Sequence, residues 1–321
     1  MRRYLKLLPP VFGLLLLTAI ALGLHRILAK VGLGEILAAF LATPFWDVVR
    51  AVGLLGGSFC IMATYDLPGV FFARRAGIGP CLPLPNIGLA SFCAYALSHI
   101  LGAPALTAAA IRLRFYAHWE VPPGGIARIV ALSASSFTLG VLTLLGGLLL
   151  LDPTSVPLPS SLAPPLLRIV GAGLLAVPIA YVIAARGRES VALFGKRIAL
   201  PGGRIALAQI GLSCLDIACA CAILHAVLPA VPGLSYPRTL SLYLGAFAAG
   251  ALSGLPGGVG VFDSVLLLGL AGFLAPAEAL GAILLFRVMY FLVPACLAGL
   301  CYAGHELWAY IKGGRGEKNR P

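Results

Sequence analysis

Charge is what this sequence lacks first. Only 11% of its 321 residues are Asp, Glu, Lys or Arg, against roughly a quarter in a soluble globular domain. Acid is the scarcer sign, with 11 Asp and Glu against 23 Lys and Arg. A shortage on this scale excludes an ordinary water-soluble enzyme, whose surface is built from such residues. Metal-type cysteine spacing is missing too. The eight cysteines (60, 81, 93, 214, 219, 221, 296 and 301) lie mostly in apolar stretches, where Cys behaves as a small hydrophobe. No nucleophile–base pairing stands out, and the Gly-rich "LPGGVG" lacks the Lys and Ser/Thr of a phosphate loop. The sequence therefore reads against an enzyme and implies no cofactor and no metal.

What is present is apolar mass. Hydrophobic residues make up 60% of the chain and the mean hydropathy is +1.00. They come in long blocks near 7–24, 44–72, 85–110, 126–151, 164–185, 204–228, 239–273 and 276–311. Runs of about twenty apolar residues are the signature of bilayer-spanning helices. The expected fold class is all-α, a polytopic helical membrane protein. The start, "MRRYLKLLPPVFGLLLLTAIALG", has the basic head, apolar centre and Ala19-x-Ala21 pattern of a secretory signal. A retained first span is the preferred reading, because a partner for it appears later in the chain. The net charge of +12 is then explained by positive-inside loops and anionic headgroups. Without an aromatic-interleaved basic patch, no nucleic-acid partner is expected.

Shifted against itself by 152 residues, the chain lays "AYALSHILGAP" (94–104) on "AFAAGALSGLP" (246–256). Gly102 falls on Gly254, Pro104 on Pro256, Pro85 on Pro237 and Gly147 on Gly299. With three extra residues, Pro9-Pro10 falls on Pro164-Pro165. Two repeats, about 5–151 and about 160–311, form a single transmembrane domain, with 312–321 as a short basic cytoplasmic tail. If every block crossed the membrane, Lys and Arg would divide 11 inside and 11 outside. If blocks 85–110 and 239–273 instead dip in and return, the division becomes 17 inside against 5 outside, with both termini cytoplasmic. The second arrangement obeys the positive-inside rule. Each repeat then holds three spans plus a re-entrant helical hairpin, and the second repeat is inverted. Gly254, Pro256, Gly257, Gly258 and Gly260 would release the helix into irregular backbone, which membrane depth tolerates only where it is buried or lines a cavity. Inverted repeats with broken helices are how many transporters build a site near the midplane.

Ionisable residues inside a span are costly and functional by default. Arg287, in "LLFRVMYFLVP", could pair with Asp263, seven residues beyond Pro256, as a headgroup site or as a packing pair. Arg112 and Arg114, in "AAAIRLRFY", could fork onto a phosphate or simply anchor the cytoplasmic face. Asp66, in "YDLPGVFFARR", is either a helix-end pairing residue or part of the cytoplasmic mouth. Asp216 has no sequence-local partner, His99 neighbours the first hairpin break, and Asp47 and Arg50 are spaced to pair. Segments 31–43 and 186–201 are candidates to lie along the interface.

"GLPGGVGVFDSVLL" resembles the PGGxGxFE signature of the lysylphosphatidylglycerol synthase transmembrane domain, the flippase-like half of the bacterial multiple peptide resistance factor. "IRLRFYAHWEVPPGGIARIVALSASSFTLG", "YDLPGVFFARR" and "FRVMYFLVP" resemble three further segments of that family in the same order. The resemblance covers roughly 5–310. It implies a bacterial plasma-membrane protein that handles phospholipid, in aminoacylated or other modified phosphatidylglycerol form, and gives Asp66, Arg112, Arg114, Asp263, Arg287 and Tyr290 roles along the lipid path. Two departures stand out. The family acid is usually Glu, one methylene longer than Asp263, and the sequence ends at Pro321 without an aminoacyl-transferase domain, so synthesis of lysyl-lipid is not expected. A lipid flippase is the leading expectation. A small-solute or ion transporter, or an accessory subunit presenting lipid to an enzyme, are the rivals. Membrane phospholipid is the expected partner, beside a homo-oligomeric copy or a separate lipid-modifying enzyme.

Overall fold

The computed structural model describes residues 33–78, 82–101, 103–156, 164–193 and 196–317. The first apolar block (7–24), with its Pro9-Pro10 pair, and Gly102 lie outside them. The described chain is a helical bundle. Its helices are α1 (Leu33–Leu41), α2 (Phe45–Thr64), α3 (Leu67–Arg75), α4 (Leu84–Leu101), α5 (Pro104–His118), α6 (Pro123–Leu151) and α7 (Pro164–Gly187), then α8 (Gly203–Val227), α9 (Tyr236–Ser253), α10 (Val261–Leu270), α11 (Pro276–Arg287) and α12 (Val293–Glu317). A two-stranded antiparallel hairpin, β1 (Ser190–Leu193) and β2 (Lys196–Ala199), joins α7 to α8. Six stretches are long and apolar enough to cross a membrane: Phe45–Arg75, Leu84–Leu101, Pro123–Leu151, Pro164–Gly187, Gly203–Val227 and Pro276–Ala309. This is an all-α polytopic membrane protein. Its outer surface fits that setting: Ile169, Ile183, Leu252 and Leu300 are all more than 60% exposed, which hydrocarbon tolerates and water does not.

The two expected hairpins are both helix–break–helix units whose arms pack on each other. α4 and α9 are each 18 residues long, and both their starts and their ends stand 152 residues apart, the offset at which the sequence matches itself. In the second unit, Gly254 (φ 68°) caps α9, a single 3-10 turn follows at Pro256–Gly258, and Gly257, Gly258 and Gly260 take φ of 59°, 58° and 82°. These left-handed angles cost an L-residue roughly 1–2 kcal/mol each and glycine almost nothing. A side chain at Gly258 would also meet the Gly250 backbone at 3.0 Å, so glycine at both positions lets the break fold tightly against α9. In the first unit Ala103 itself takes φ 43°.

Other elements differ from a simple run of spans. Block 44–72 is two helices, because the chain turns at Tyr65-Asp66 before Pro68 starts α3. Block 276–311 holds a π turn at Val288–Leu292, closed by Val293 N–H to the Val288 carbonyl. Its cause is Pro294, which has no N–H to give and whose ring would press on the Tyr290 carbonyl in a regular helix. α12 runs on to Glu317, past the start of the expected tail at 312. Segment 186–201 carries the β hairpin, and Asp47 pairs with Arg50 at 3.0 Å. α6 and α7 approach closely at Gly146 and Gly171, where a Cβ on Gly171 would lie 2.7 Å from the Gly146 carbonyl oxygen; small residues commonly allow such helix contacts in membranes. Beyond α6, hydroxyls of Ser155 and Thr154 donate to Asp152 and hold its carboxyl below the usual carboxylate range.

Candidate functional site

Of the charged residues singled out in the sequence, Asp66, Arg112, Asp263 and Arg287 form two ion pairs beside a cavity where the two helix breaks meet. Asp66 sits at the turn between α2 and α3 and its carboxylate is fully buried. Arg112 of α5 donates from Nε to both oxygens (2.9 and 3.0 Å), and its Nη2 lies 2.8 Å from Oδ1 in the ion pair. Tyr116 one turn later adds its hydroxyl (3.0 Å), and Ser133 of α6 adds another (2.9 Å). The Asp66 N–H donates to Ser91 Oγ of α4. One carboxylate thus ties α3, α5 and α6 together.

Arg114 does not join Arg112. Residues two apart on a helix point to different faces, and Arg114 instead forms a fork with Glu306 of α12 (2.8 and 2.6 Å) at the exposed surface. The two arginines do not converge on one phosphate.

The second ion pair belongs to the glycine-rich break. Arg287, the last residue of α11, donates from Nε to Asp263 Oδ1 (2.5 Å) and from Nη2 to Oδ2 (2.8 Å). Its Nη1 reaches the Gly257 carbonyl at 3.2 Å. Asp263 also accepts from the Gly260 N–H at 2.9 Å, fixing the start of α10. The guanidinium lies against the rings of Phe262 and Phe291, 5.4 and 5.1 Å from their centroids. This pair is less sealed than the first: its side chains are 16% and 17% exposed, against 5% and 0% for Arg112 and Asp66.

Between the pairs lies a cavity of about 240 Å³. Pro104 borders it from the first break and Gly254, Gly257 and Gly258 from the second, and Arg112, Ser133, Phe262 and Phe291 are among its other lining residues. Asp263, Arg287 and Tyr290 stand just behind the wall rather than in it. The wall is mainly aromatic and apolar, with Tyr65, Tyr95, Ser98 and His99 as its further polar members. Nothing in the local sequence marked Tyr95. Its hydroxyl donates to Asp216 of α8, lies 3.4 Å from the Tyr290 hydroxyl, and its ring stacks on His99. So Tyr290, expected along the lipid path, is buried in a hydroxyl chain that reaches the cavity through Tyr95. No cluster of His, Cys, Asp and Glu suited to a metal occurs among the described residues.

No family model matches the chain. It is similar to uncharacterized protein slr0712 of Synechocystis sp., 31% identical over 306 residues that cover 94% of this chain and 92% of that protein. It is similar to inner membrane protein YbhN of Escherichia coli, 29% identical over 269 residues, 80% of this chain and 82% of the relative. It also aligns with phosphatidylglycerol lysyltransferase of Staphylococcus haemolyticus, 25% identical over 92% of this chain but only 34% of that longer protein.

Proposed function

The chain belongs to the same family as uncharacterized protein slr0712 of Synechocystis, and from that premise we propose that it moves phospholipid between the leaflets of a bacterial inner membrane. The observation that carries the reading is the cavity at the meeting of two helix breaks, edged by Arg112 and backed by Arg287. Irregular backbone at membrane depth is tolerated only where it is buried or lines a cavity, and arginines within apolar helices mark candidate paths for a polar group. The similarity to a lysyltransferase named for phosphatidylglycerol supports a lipid, and YbhN, named for the inner membrane, supports the location. At about 240 Å³ the cavity suits a headgroup and excludes two acyl chains, so the tails would stay in the bilayer. The same small volume favours a small-solute carrier as the second reading.

Two contacts support re-entrant hairpins in an inverted repeat. The Arg75 guanidinium and the Arg186 side chain lie over Gly202 and Gly203, and Arg114 bonds Glu306. If every apolar block crossed the membrane, Arg75 and Arg186 would lie on opposite faces, as would Arg114 and Glu306. Hairpins that return to their face of entry bring each pair to one side, here the cytoplasmic one. Labelling of single cysteines is expected to place 186–204 and both termini inside, and 152–163 and 229–238 outside. Modification of 186–204 from outside intact cells would end this topology.

The function itself is tested in proteoliposomes carrying a trace of fluorescent phosphatidylglycerol. Dithionite bleaches only the outer half of the label in protein-free vesicles. With this protein reconstituted, bleaching is expected to run well past half. Bleaching that stops at half, beside uptake of a water-soluble solute, would replace the lipid reading with the solute one.

A further inference from the structure

Asp216 is the acid that the ion-pair network leaves over. It lies mid-way along α8, within a stretch long and apolar enough to cross the membrane, and is 1% exposed. Each other buried carboxylate at the site has an arginine, whereas Asp216 has a hydroxyl. Tyr95 donates to its Oδ2, and Oδ1 meets no donor among the described residues. The titratable groups that face it are Tyr65 at the end of α2, Tyr95 of α4, Tyr243 of α9, Tyr290 of the π turn, and Cys219 on α8 itself. None of these is a cation. An isolated carboxylate out of water costs several kcal/mol, and the ordinary response is to hold a proton instead.

Tyr95 gives that proton a consequence. A phenol has one hydrogen to donate. While Asp216 is ionised, Tyr95 spends that hydrogen on it, and the contact between Tyr95 and Tyr290 at 3.4 Å can be donated only by Tyr290. Once Asp216 takes up a proton, its own O–H donates to Tyr95, and the Tyr95 hydrogen is free to turn. It can turn toward Tyr290 or toward an acceptor in the cavity, because Tyr95 and the His99 stacked on it both line the wall. We propose that Asp216 is a proton-binding site, connected through the Tyr95 hydroxyl to the cavity, and that proton binding there is coupled to substrate movement. The coupling rests on the lipid-moving reading above; the proton site does not.

The experiment separates the two. Infrared difference spectra of the purified full-length protein, recorded as pH is stepped downward, should show growth of a protonated-carboxyl C=O band. The band should be lost in Asp216→Asn and shifted in Tyr95→Phe, which removes the hydrogen bond while keeping the ring. In proteoliposomes, transfer of fluorescent phosphatidylglycerol should change by about tenfold over three pH units for the native chain and by less than about twofold for Asp216→Asn. An unaltered band in folded Asp216→Asn overturns the proton site, and an unaltered band in Tyr95→Phe overturns the connection. A native pH profile in Asp216→Asn overturns the coupling. If the native chain moves no lipid yet shows the Asp216-dependent band, the proton site stands and the lipid reading falls.

Discussion

Arg112→Ala is expected to cost the protein its fold. The Asp66 carboxylate is sealed among α3, α5 and α6, and its donors are Arg112, Tyr116 and Ser133. Arg112 supplies three of the contacts and the only compensating charge among the described residues. Without it, a carboxylate whose side chain is 0% exposed is left with two neutral hydroxyls as donors. Breaking a buried pair in this one-sided way costs about 3–5 kcal/mol, a large share of the ~5–15 kcal/mol that holds a typical protein folded. Arg112→Lys should rescue little, because an ammonium cannot bind both oxygens through a planar fork. Tyr116→Phe removes one of several donors and should cost only about 0.5–1.5 kcal/mol. The checks are monodisperse yield in detergent and the thermal midpoint. An Arg112→Ala protein that elutes and melts like the native chain would show that the pair is not structural, and would return Arg112 to the list of substrate-binding residues.

The contrast between the two ion pairs shows which features the sequence could reveal. Asp263 and Arg287 were legible because each stands nearly alone in an apolar run, and an isolated acid and base in such a run have few partners to choose from. The breaks were legible because glycine and proline change the backbone wherever they occur, and α4 and α9 end where the Gly-x-Pro pattern says they should. Asp66 was harder. Its partner lies 46 residues away, and Arg112 and Arg114 look equivalent in a string of letters while occupying different faces of α5. The link from Tyr95 to Asp216, 121 residues apart, left no trace at all. The cause is general to such chains. When a helix is apolar all round, polarity no longer marks its inner face, and the choice between core and lipid is made by size and shape. Gly171 against Gly146, or Gly258 against Gly250, are contacts of that kind.

Arg287→Ala should have the opposite outcome to Arg112→Ala: a folded protein that no longer transfers lipid. The chemistry of the two pairs is the same, and burial decides between them. With side chains 16% and 17% exposed, Arg287 and Asp263 are within reach of water that could enter when the guanidinium is removed. Asp263 would keep the Gly260 N–H as a donor, so its charge is not stranded. What is lost is the contact to the Gly257 carbonyl and the packing on Phe262 and Phe291; a ring contact of this kind ranges from about 0.5–1 kcal/mol at an exposed site to about 2 kcal/mol when desolvated. Asp263→Ala should also fold, because Arg287 would retain that carbonyl and both rings. Function is expected to separate from stability here. A phosphate entering the cavity needs a cation that can exchange partners, and a guanidinium held by one carboxylate and one carbonyl at the hairpin break is placed to do so. Transfer in proteoliposomes should therefore fall at least about tenfold in Arg287→Ala, a loss of roughly 1.4 kcal/mol in the barrier. The double variant Asp263→Ala with Arg287→Ala should stay as folded and as inactive. If instead Arg287→Ala aggregates and the double variant recovers, the pair is a structural bolt like the one at Asp66. If well-folded Arg287→Ala transfers lipid at the native rate, Arg287 has no part in the path, and the left-handed glycines of the break must serve the site through their backbone alone.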